Sequence, residues 1–401
     1  MTPLFRKFLG HNWILTFVVI GLAVTGVLSI DSATYFRGDE DAELLTKPSA
    51  QMMWLGVGCF FYIMGIFIDY RWLKFLVLPL FAAAMVLLAM VPLTSFGVTA
   101  SGATSWLNIG GVVTIQPSQV ALAGGILLMA FILGVLPKWK KYFDWTVVKL
   151  ALCGAVAIGP LYLILQEPDQ GSAAAWFAVT GAMFLVGGIP FRYLIVGSQL
   201  GLIAAPVLYF FVLKDYQRER IDTFIAMATG GEYDRQDEGW VPEHNLIALG
   251  SAGWMGKGYK GNRTIGERTI KEMGIIPANV SINDFIFVVF AEEQGYRGVL
   301  VLVGGYALLL LTLLTIAFHS RDNFGRLIVT GLAAQIFFHV FMNIGGSAVL
   351  VPITGVPLPL FSYGGTFAVV IVGMLGIAQS VWVHRNELIE QKEKVRGEFR
   401  G

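Results

Sequence analysis

One carboxylate stands out by its setting. Asp284 sits in Val280-Ser281-Ile282-Asn283-Asp284-Phe285-Ile286-Phe287, at the head of a strongly apolar run and at the end of the only long polar segment. An isolated acid at such a border can serve as a general base. Asn283-Asp284 is also good helix N-cap chemistry, and spacing alone leaves capping as the blander reading. Arg218 and Arg220 lie in the same polar segment. They suit either snorkelling to lipid headgroups or a two-pronged grip on a diphosphate. The glycine-rich stretch Gly250 to Gly258 offers Lys257. It fails the nucleotide-loop spacing, which needs glycine where Ser251 stands and a hydroxyl where Gly258 stands. It reads as a flexible turn or as a lysine offered to a lipid phosphate. Gln335, His339 and Asn343 recur every four residues and share one helix face. That face suits hydrogen bonding between helices, or a proton or substrate path.

The elements that must hold these residues are membrane spans. The chain has 401 residues, of which 56% are hydrophobic and 14% charged, with a mean hydropathy of +0.68. Soluble domains carry about 25% charged residues. Apolar runs long enough to cross a bilayer recur, near 12–30, 51–69, 75–95, 117–137, 146–165, 172–190, 193–213, 298–318, 327–348 and 364–384. The expected fold is an all-α, polytopic membrane protein of about ten transmembrane helices. The two cysteines, Cys59 and Cys153, fall inside apolar runs, and the five histidines are scattered without zinc spacing. The first apolar run is long enough to span and no cleavage signature follows it, so it reads as a retained helix. Two glycosylation patterns, at Asn262 and Asn279, carry no weight.

With ten spans, Arg6, Lys7, Arg71, Lys74, Lys138, Lys140, Lys141, Arg192, Arg321, Arg326 and the basic residues after 385 all fall on one side. The positive-inside rule makes that side, and both termini, cytoplasmic. Asp39-Glu40-Asp41, Glu167 and Asp169 fall opposite. One large extracytoplasmic loop, about 214–297, then joins helices seven and eight, and a cytoplasmic tail runs from about 385 to 401. A continuous helix from Asp284 to Phe318 would reach about 50 Å, against a hydrocarbon core of about 30 Å. The piece from Asp284 to Tyr296 must therefore be separate or stand clear of the bilayer. Pro352, Pro357 and Pro359 forbid a helix before Gly364. That stretch reads as an outward-facing lining between helices nine and ten.

Several blocks together resemble the SEDS family (shape, elongation, division, sporulation), and within it the RodA-type elongation members more than the FtsW division type. They are Gly102-Ala103 with Trp106, Gln116-Pro117-Ser118, Gln166 to Gly171, Tyr216-Gln217 with Arg220-Ile221, and Gly256-Lys257-Gly258. Further on come Asp284-Phe285-Ile286-Phe287 with Glu292-Glu293 and Gly295, Asn343-Ile344-Gly345, and Pro352 to Gly365. The resemblance covers nearly the whole chain as a single integral-membrane domain. It implies a peptidoglycan glycosyltransferase that polymerises lipid II at the outer face of the bacterial cytoplasmic membrane, beside a class B penicillin-binding protein. It places the essential aspartate on Asp284 and the outer-loop tryptophan on Trp106. Substrate contacts are expected from Trp106, Arg218, Arg220, Lys257, Ser362 and Tyr363. No cofactor motif is present, and a divalent cation such as Mg or Mn is left open. The chain departs from the family pattern at Thr104-Ser105, Gln119 and Leu122, where charged residues are usual, and at Thr366-Phe367. These losses keep a non-catalytic scaffold for the partner enzyme as a competing class. A lipid II flippase is the other; against it, no convincing internal repeat is visible.

Overall fold

The computed structural model describes residues 10–35, 43–94, 97–100, 103–109, 113–136, 145–167, 169–261, 269–271, 273–275 and 278–385. The terminal basic residues, Asp39-Glu40-Asp41, Gly102, Lys138, Lys140, Lys141, Pro168, Asn262 and the tail beyond 385 lie outside them. The side chains of Ala103, Thr104 and Asn279 lie outside them as well.

The helices are α1 (Trp13–Tyr35), α2 (Lys47–Phe67), α3 (Leu73–Leu93), α4 (Pro117–Gly134), α5 (Trp145–Gln166), α6 (Gln170–Val186) and α7 (Phe191–Val207). After α7 come α8 (Asp215–Thr229), α9 (Trp240–Ser251), α10 (Ile286–His319), α11 (Asn323–Ser347) and α12 (Gly365–Val383). Among the described residues, nine helices are long and apolar enough to span; α6, at 17 residues, is a shorter apolar helix. Each of the ten expected spans coincides with one of these helices.

Parity can be read from the contacts between helix ends. At one end, Ser32 of α1 and Gln51 of α2 bond to Glu293 and Ser362. There too Asp169 before α6 meets Gln116 before α4. At the other end, Tyr70 and Lys74 bond Asp322 ahead of α11, and Ser380 of α12 bonds the Ile68 carbonyl after α2. An alternating bundle requires this sorting.

The core is α4, α11 and α12. α4 and α12 are buried on most sides and α11 on all but the face of Phe337 and Phe341, whereas α7 has no buried residue and leaves its apolar surface exposed. Packing between α2 and α12 depends on missing side chains. A Cβ on Gly65 would lie 2.5 Å from the Gly376 carbonyl carbon, and one on Gly376 2.6 Å from Tyr62 Cα. Small residues let helices approach closely in a bilayer, where the hydrophobic effect does not drive them together.

Two features depart from a plain helical bundle. Gly97–Ala100, Ala103–Ile109 and Val113–Ile115 form β1, β2 and β3 of an antiparallel sheet in the order β1-β2-β3. Threonine, valine, isoleucine and tryptophan dominate these strands and suit a pleated, half-buried surface. The expectation of helices alone missed them. The second feature is a break in α10, one of the two arrangements that the length of this segment left open. Gly295 has φ 68 and ψ −171, which divides the 34-residue helix. A left-handed φ is cheap only for glycine. The turn from Gly253 to Gly258 takes up the freed backbone groups. Tyr296 N and Arg297 N donate to the Gly253 and Trp254 carbonyls, at 2.9 and 3.3 Å. Lys257 N and Gly258 N donate to the Glu292 and Glu293 carbonyls, at 2.9 and 2.8 Å. The glycine-rich stretch is thus a structural brace.

Candidate active site

Asp284 stands on the turn leading into α10. Three successive carbonyls hold that turn. Ile282 O accepts from Tyr363 N at 2.9 Å, and Asn283 O accepts from Ser362 Oγ at 2.6 Å. Asp284 O accepts from Asn343 Nδ2 at 2.9 Å. The same Asn343 amide donates to Val356 O at 2.8 Å, and Ser362 Oγ accepts from Leu358 N at 2.7 Å. The backbone is pinned while the carboxylate makes no hydrogen bond or ion pair among the described residues. Phe285 occupies the N-cap position of α10, with no side-chain cap bond. Asp284 is therefore not a cap.

The carboxylate opens on a cavity of about 280 Å³. Three walls surround it. On α8, Arg220, Thr223, Phe224 and Met227 recur at helical spacing. On the α11–α12 connection, Val349, Val351, Ile353 and Gly355 line the cavity, from the turn that ends α11 to the left-handed Gly355. The third wall is the turn ahead of α9, with Asp237 and Glu238, and the first turn of that helix, with Val241 and Pro242. Val349 holds φ 56, an uncommon setting for a β-branched residue and a mark of local strain at the cavity wall.

Burial pushes the Asp284 carboxyl up to about 6, with the Arg220 guanidinium opposing and the Asp169 carboxylate adding. Asp169 is the N-cap of α6 and accepts from Ser172 N at 2.9 Å and Ser172 Oγ at 2.6 Å. Gln116 Nε2 and Ser118 Oγ each lie 3.4 Å from the oxygen that accepts from the Ser172 hydroxyl. A Cβ on Gly171 would strike Val356 at 2.4 Å, and one on Gly355 would meet the Asp284 carboxylate at 3.5 Å. The α6 start, the α11–α12 connection and the carboxylate therefore lie close together in space. Glu167 is buried with neither carboxylate oxygen partnered among the described residues, and burial followed by Asp169 raises it to about 8. Among the described residues no group of three or more His, Cys, Asp or Glu is placed to hold a metal ion.

The expected site residues separate. Arg220 lines the cavity with Asp284. Arg218 does not: its guanidinium donates to Phe210 O at 3.0 Å and pairs with Asp215 at 3.7 Å. Lys257 is buried and its ammonium lies 2.8 Å from Glu292 Oε1, so it is not offered to a phosphate. Lys271 forms a second buried pair with Glu293. A buried carboxylate that stays ionised needs such a partner. Ser362 and Tyr363 fix the Asp284 turn and do not line the cavity. Trp106 lies on β2, half-buried and paired with Val98. It is not in the cavity wall, although its neighbour Ser105 donates to Glu167 O at 3.2 Å. Gln119 and Leu122 are both buried on α4, and Gln119 Nε2 reaches Ser172 Oγ at 3.4 Å. His339 Nδ1 meets Pro357 O at 3.1 Å, and its ring stacks on Phe367. Sequence reasoning missed Glu238 and Asp237, which were hidden among the many acids of the polar segment. Asn343 was noticed for its helix face, but not for its grip on Asp284.

Comparison with known proteins identifies the family. The model of the FtsW, RodA and SpoVE cell cycle proteins matches residues 12–387. Peptidoglycan glycosyltransferase MrdB of Escherichia coli (strain K12) is 34% identical over 307 residues, covering 75% of this chain and 77% of that protein. A chain from a peptidoglycan synthase complex, solved to show how polymerization and crosslinking are coordinated, superposes with a TM-score of 0.74 at 27% identity. That match covers 94% of this chain and 98% of the other. The crystal structure of the rod shape determining protein RodA of Thermus thermophilus gives 0.65 at 28% identity, over 94% and 97% of the two chains. With nearly its full length matched, the chain belongs to the FtsW, RodA and SpoVE family of cell cycle proteins.

Proposed function

We infer that this chain is a peptidoglycan glycosyltransferase of the bacterial cytoplasmic membrane, acting in cell elongation and polymerising lipid II on the outer face. The observation that carries the reading is a carboxylate, Asp284, unpaired among the described residues and facing Arg220 across one cavity on a rigidly pinned turn. Glycosyl transfer from a lipid diphosphate breaks the bond between the anomeric carbon and the diphosphate oxygen, and forms one to the acceptor hydroxyl oxygen. Asp284, ionised above about pH 6, takes the hydroxyl proton. The departing diphosphate keeps the bonding electron pair, and the Arg220 guanidinium stabilises its charge. A single base with direct displacement inverts the anomeric centre. Asn343, Ser362 and Tyr363 act by positioning.

The neighbouring peptidoglycan synthase complex supports a cross-linking partner for the glycan product. We assign that partner to the class B penicillin-binding proteins. Both termini face the cytoplasm in this reading, and the segment from 214 to 297 lies outside. The test is polymerisation of lipid II by the purified chain with its partner, read as glycan length on a gel. Wild type makes chains and Asp284→Ala does not. Undiminished chains from Asp284→Ala would remove the mechanism, and transbilayer movement of lipid II without chains would favour a flippase.

A further inference from the structure

The charge balance of the cavity poses a problem for its proposed substrate. Among the described residues, Asp237, Glu238 and Asp284 line it against one guanidinium, Arg220. A diphosphate entering between these side chains meets more negative charge than positive. Arg220 is nevertheless poorly held. Its Nε lies 3.6 Å from Glu238 Oε2, an ion pair beyond hydrogen-bonding length. It makes no hydrogen bond among the described residues, and its other contact is the Tyr216 ring, 5.7 Å from the guanidinium carbon. The Arg220 and Glu238 side chains are 43% and 28% exposed, so the pair is loose and partly wet. Such pairs contribute little and exchange readily. Arg218, two residues away, is held by a carbonyl and a carboxylate on its own stretch of chain.

A carboxylate and a phosphate compete for the same face of a guanidinium, because both offer two oxygens to its fork. Resting on the glycosyltransferase reading above, we propose that Glu238 is a built-in competitor for Arg220, yielding the guanidinium to a lipid diphosphate and recapturing it when the diphosphate leaves. Glu238 keeps Arg220 facing the cavity between turnovers. It also weakens the hold on the diphosphate product, which must depart before the next lipid enters. Glu238 touches no reacting atom and is a positioning residue. Its place just ahead of α9 lets it move without disturbing the pinned turn of Asp284.

The test is equilibrium binding to the purified full-length chain, followed by tryptophan fluorescence, since Trp240 begins α9 two residues on. The probes are geranylgeranyl diphosphate, geranylgeraniol and inorganic pyrophosphate. Glu238→Gln is expected to tighten geranylgeranyl diphosphate by about two- to fivefold, the scale of a partly exposed charge pair. The alcohol is unaffected, Glu238→Asp binds as wild type does, and the tightening disappears in an Arg220→Ala background. In polymerisation, added geranylgeranyl diphosphate inhibits Glu238→Gln at correspondingly lower concentration. Unchanged or weaker diphosphate binding in Glu238→Gln overturns the proposal, as does tightening that persists without Arg220. Inorganic pyrophosphate binding as tightly as the lipid diphosphate overturns the lipid assignment. The binding arms need no turnover. Polymerisation by wild type with no change in Glu238→Gln binding therefore sinks the competitor alone, and normal binding with no polymerisation sinks the enzyme reading alone.

Discussion

Replacing Asp284 by asparagine tests the site through stability. The carboxyl is raised by burial from 3.8 to about 6. A folded pKa above the unfolded one means that the fold prefers the neutral form. The associated stability is fully present below about pH 4, and is lost as pH rises through about 6. Each tenfold difference in proton affinity between the folded and unfolded chain corresponds to about 1.4 kcal/mol, so the ionised carboxylate destabilises the fold by up to about 3 kcal/mol above pH 7. Asn cannot ionise and has nearly the same shape. Asp284→Asn should therefore unfold at higher temperature than wild type at pH 8, while losing polymerisation by about 100-fold or more. The gain should shrink below pH 6 and vanish near pH 4. Thermal unfolding of the detergent-solubilised protein, followed by tryptophan fluorescence at about pH 8, 6 and 4.5, reads it across this window. A helix cap predicts no such gain. Equal or lower stability of Asp284→Asn at pH 8 would refute the argument that an unpaired, ionised side chain is held there at a cost to the fold.

Other expected outcomes follow from the same geometry. Ser362→Ala removes the hydroxyl that holds Asn283 O and should lower kcat by about tenfold with KM little changed, since an error of about 1 Å in placing a base is enough. Arg220→Ala should depress kcat/KM by at least about tenfold, whereas Arg218→Ala, outside the cavity, should stay within about threefold in steady-state polymerisation. Lys257→Met should destabilise by about 3–5 kcal/mol by stranding Glu292, and Lys257→Met with Glu292→Leu should recover most of it in denaturant unfolding.

The spans were legible because a bilayer demands about 20 apolar residues from each, and the break in α10 because its helical length exceeded the membrane. Asp284 was legible as an acid at an apolar border. The sheet was not, since its short strands lie between two spans in a stretch rich in glycine and threonine. Lys257 was misread because its partner, Glu292, lies 35 residues on, and sequence distance says nothing of a buried pair. Ser362 and Tyr363 were marked as substrate contacts when their bonds run to backbone carbonyls at 282 and 283. Glu238 was invisible because only the folding of α8 against the start of α9 turns one acid among many into the neighbour of Arg220. The replacements Gln119 and Leu122 remove two charges together. Both are buried, and neither leaves a lone ion in α4.

The most direct measurement is the initial rate of lipid II polymerisation as a function of pH. A base with a pKa of about 6 predicts a log-linear acid limb of unit slope below that pH, about tenfold down at pH 5, and a limb that is absent from the residual rate of Asp284→Asn. A rate that stays flat below pH 5, or the same limb in both proteins, would contradict the assignment of Asp284 as the group that takes the proton.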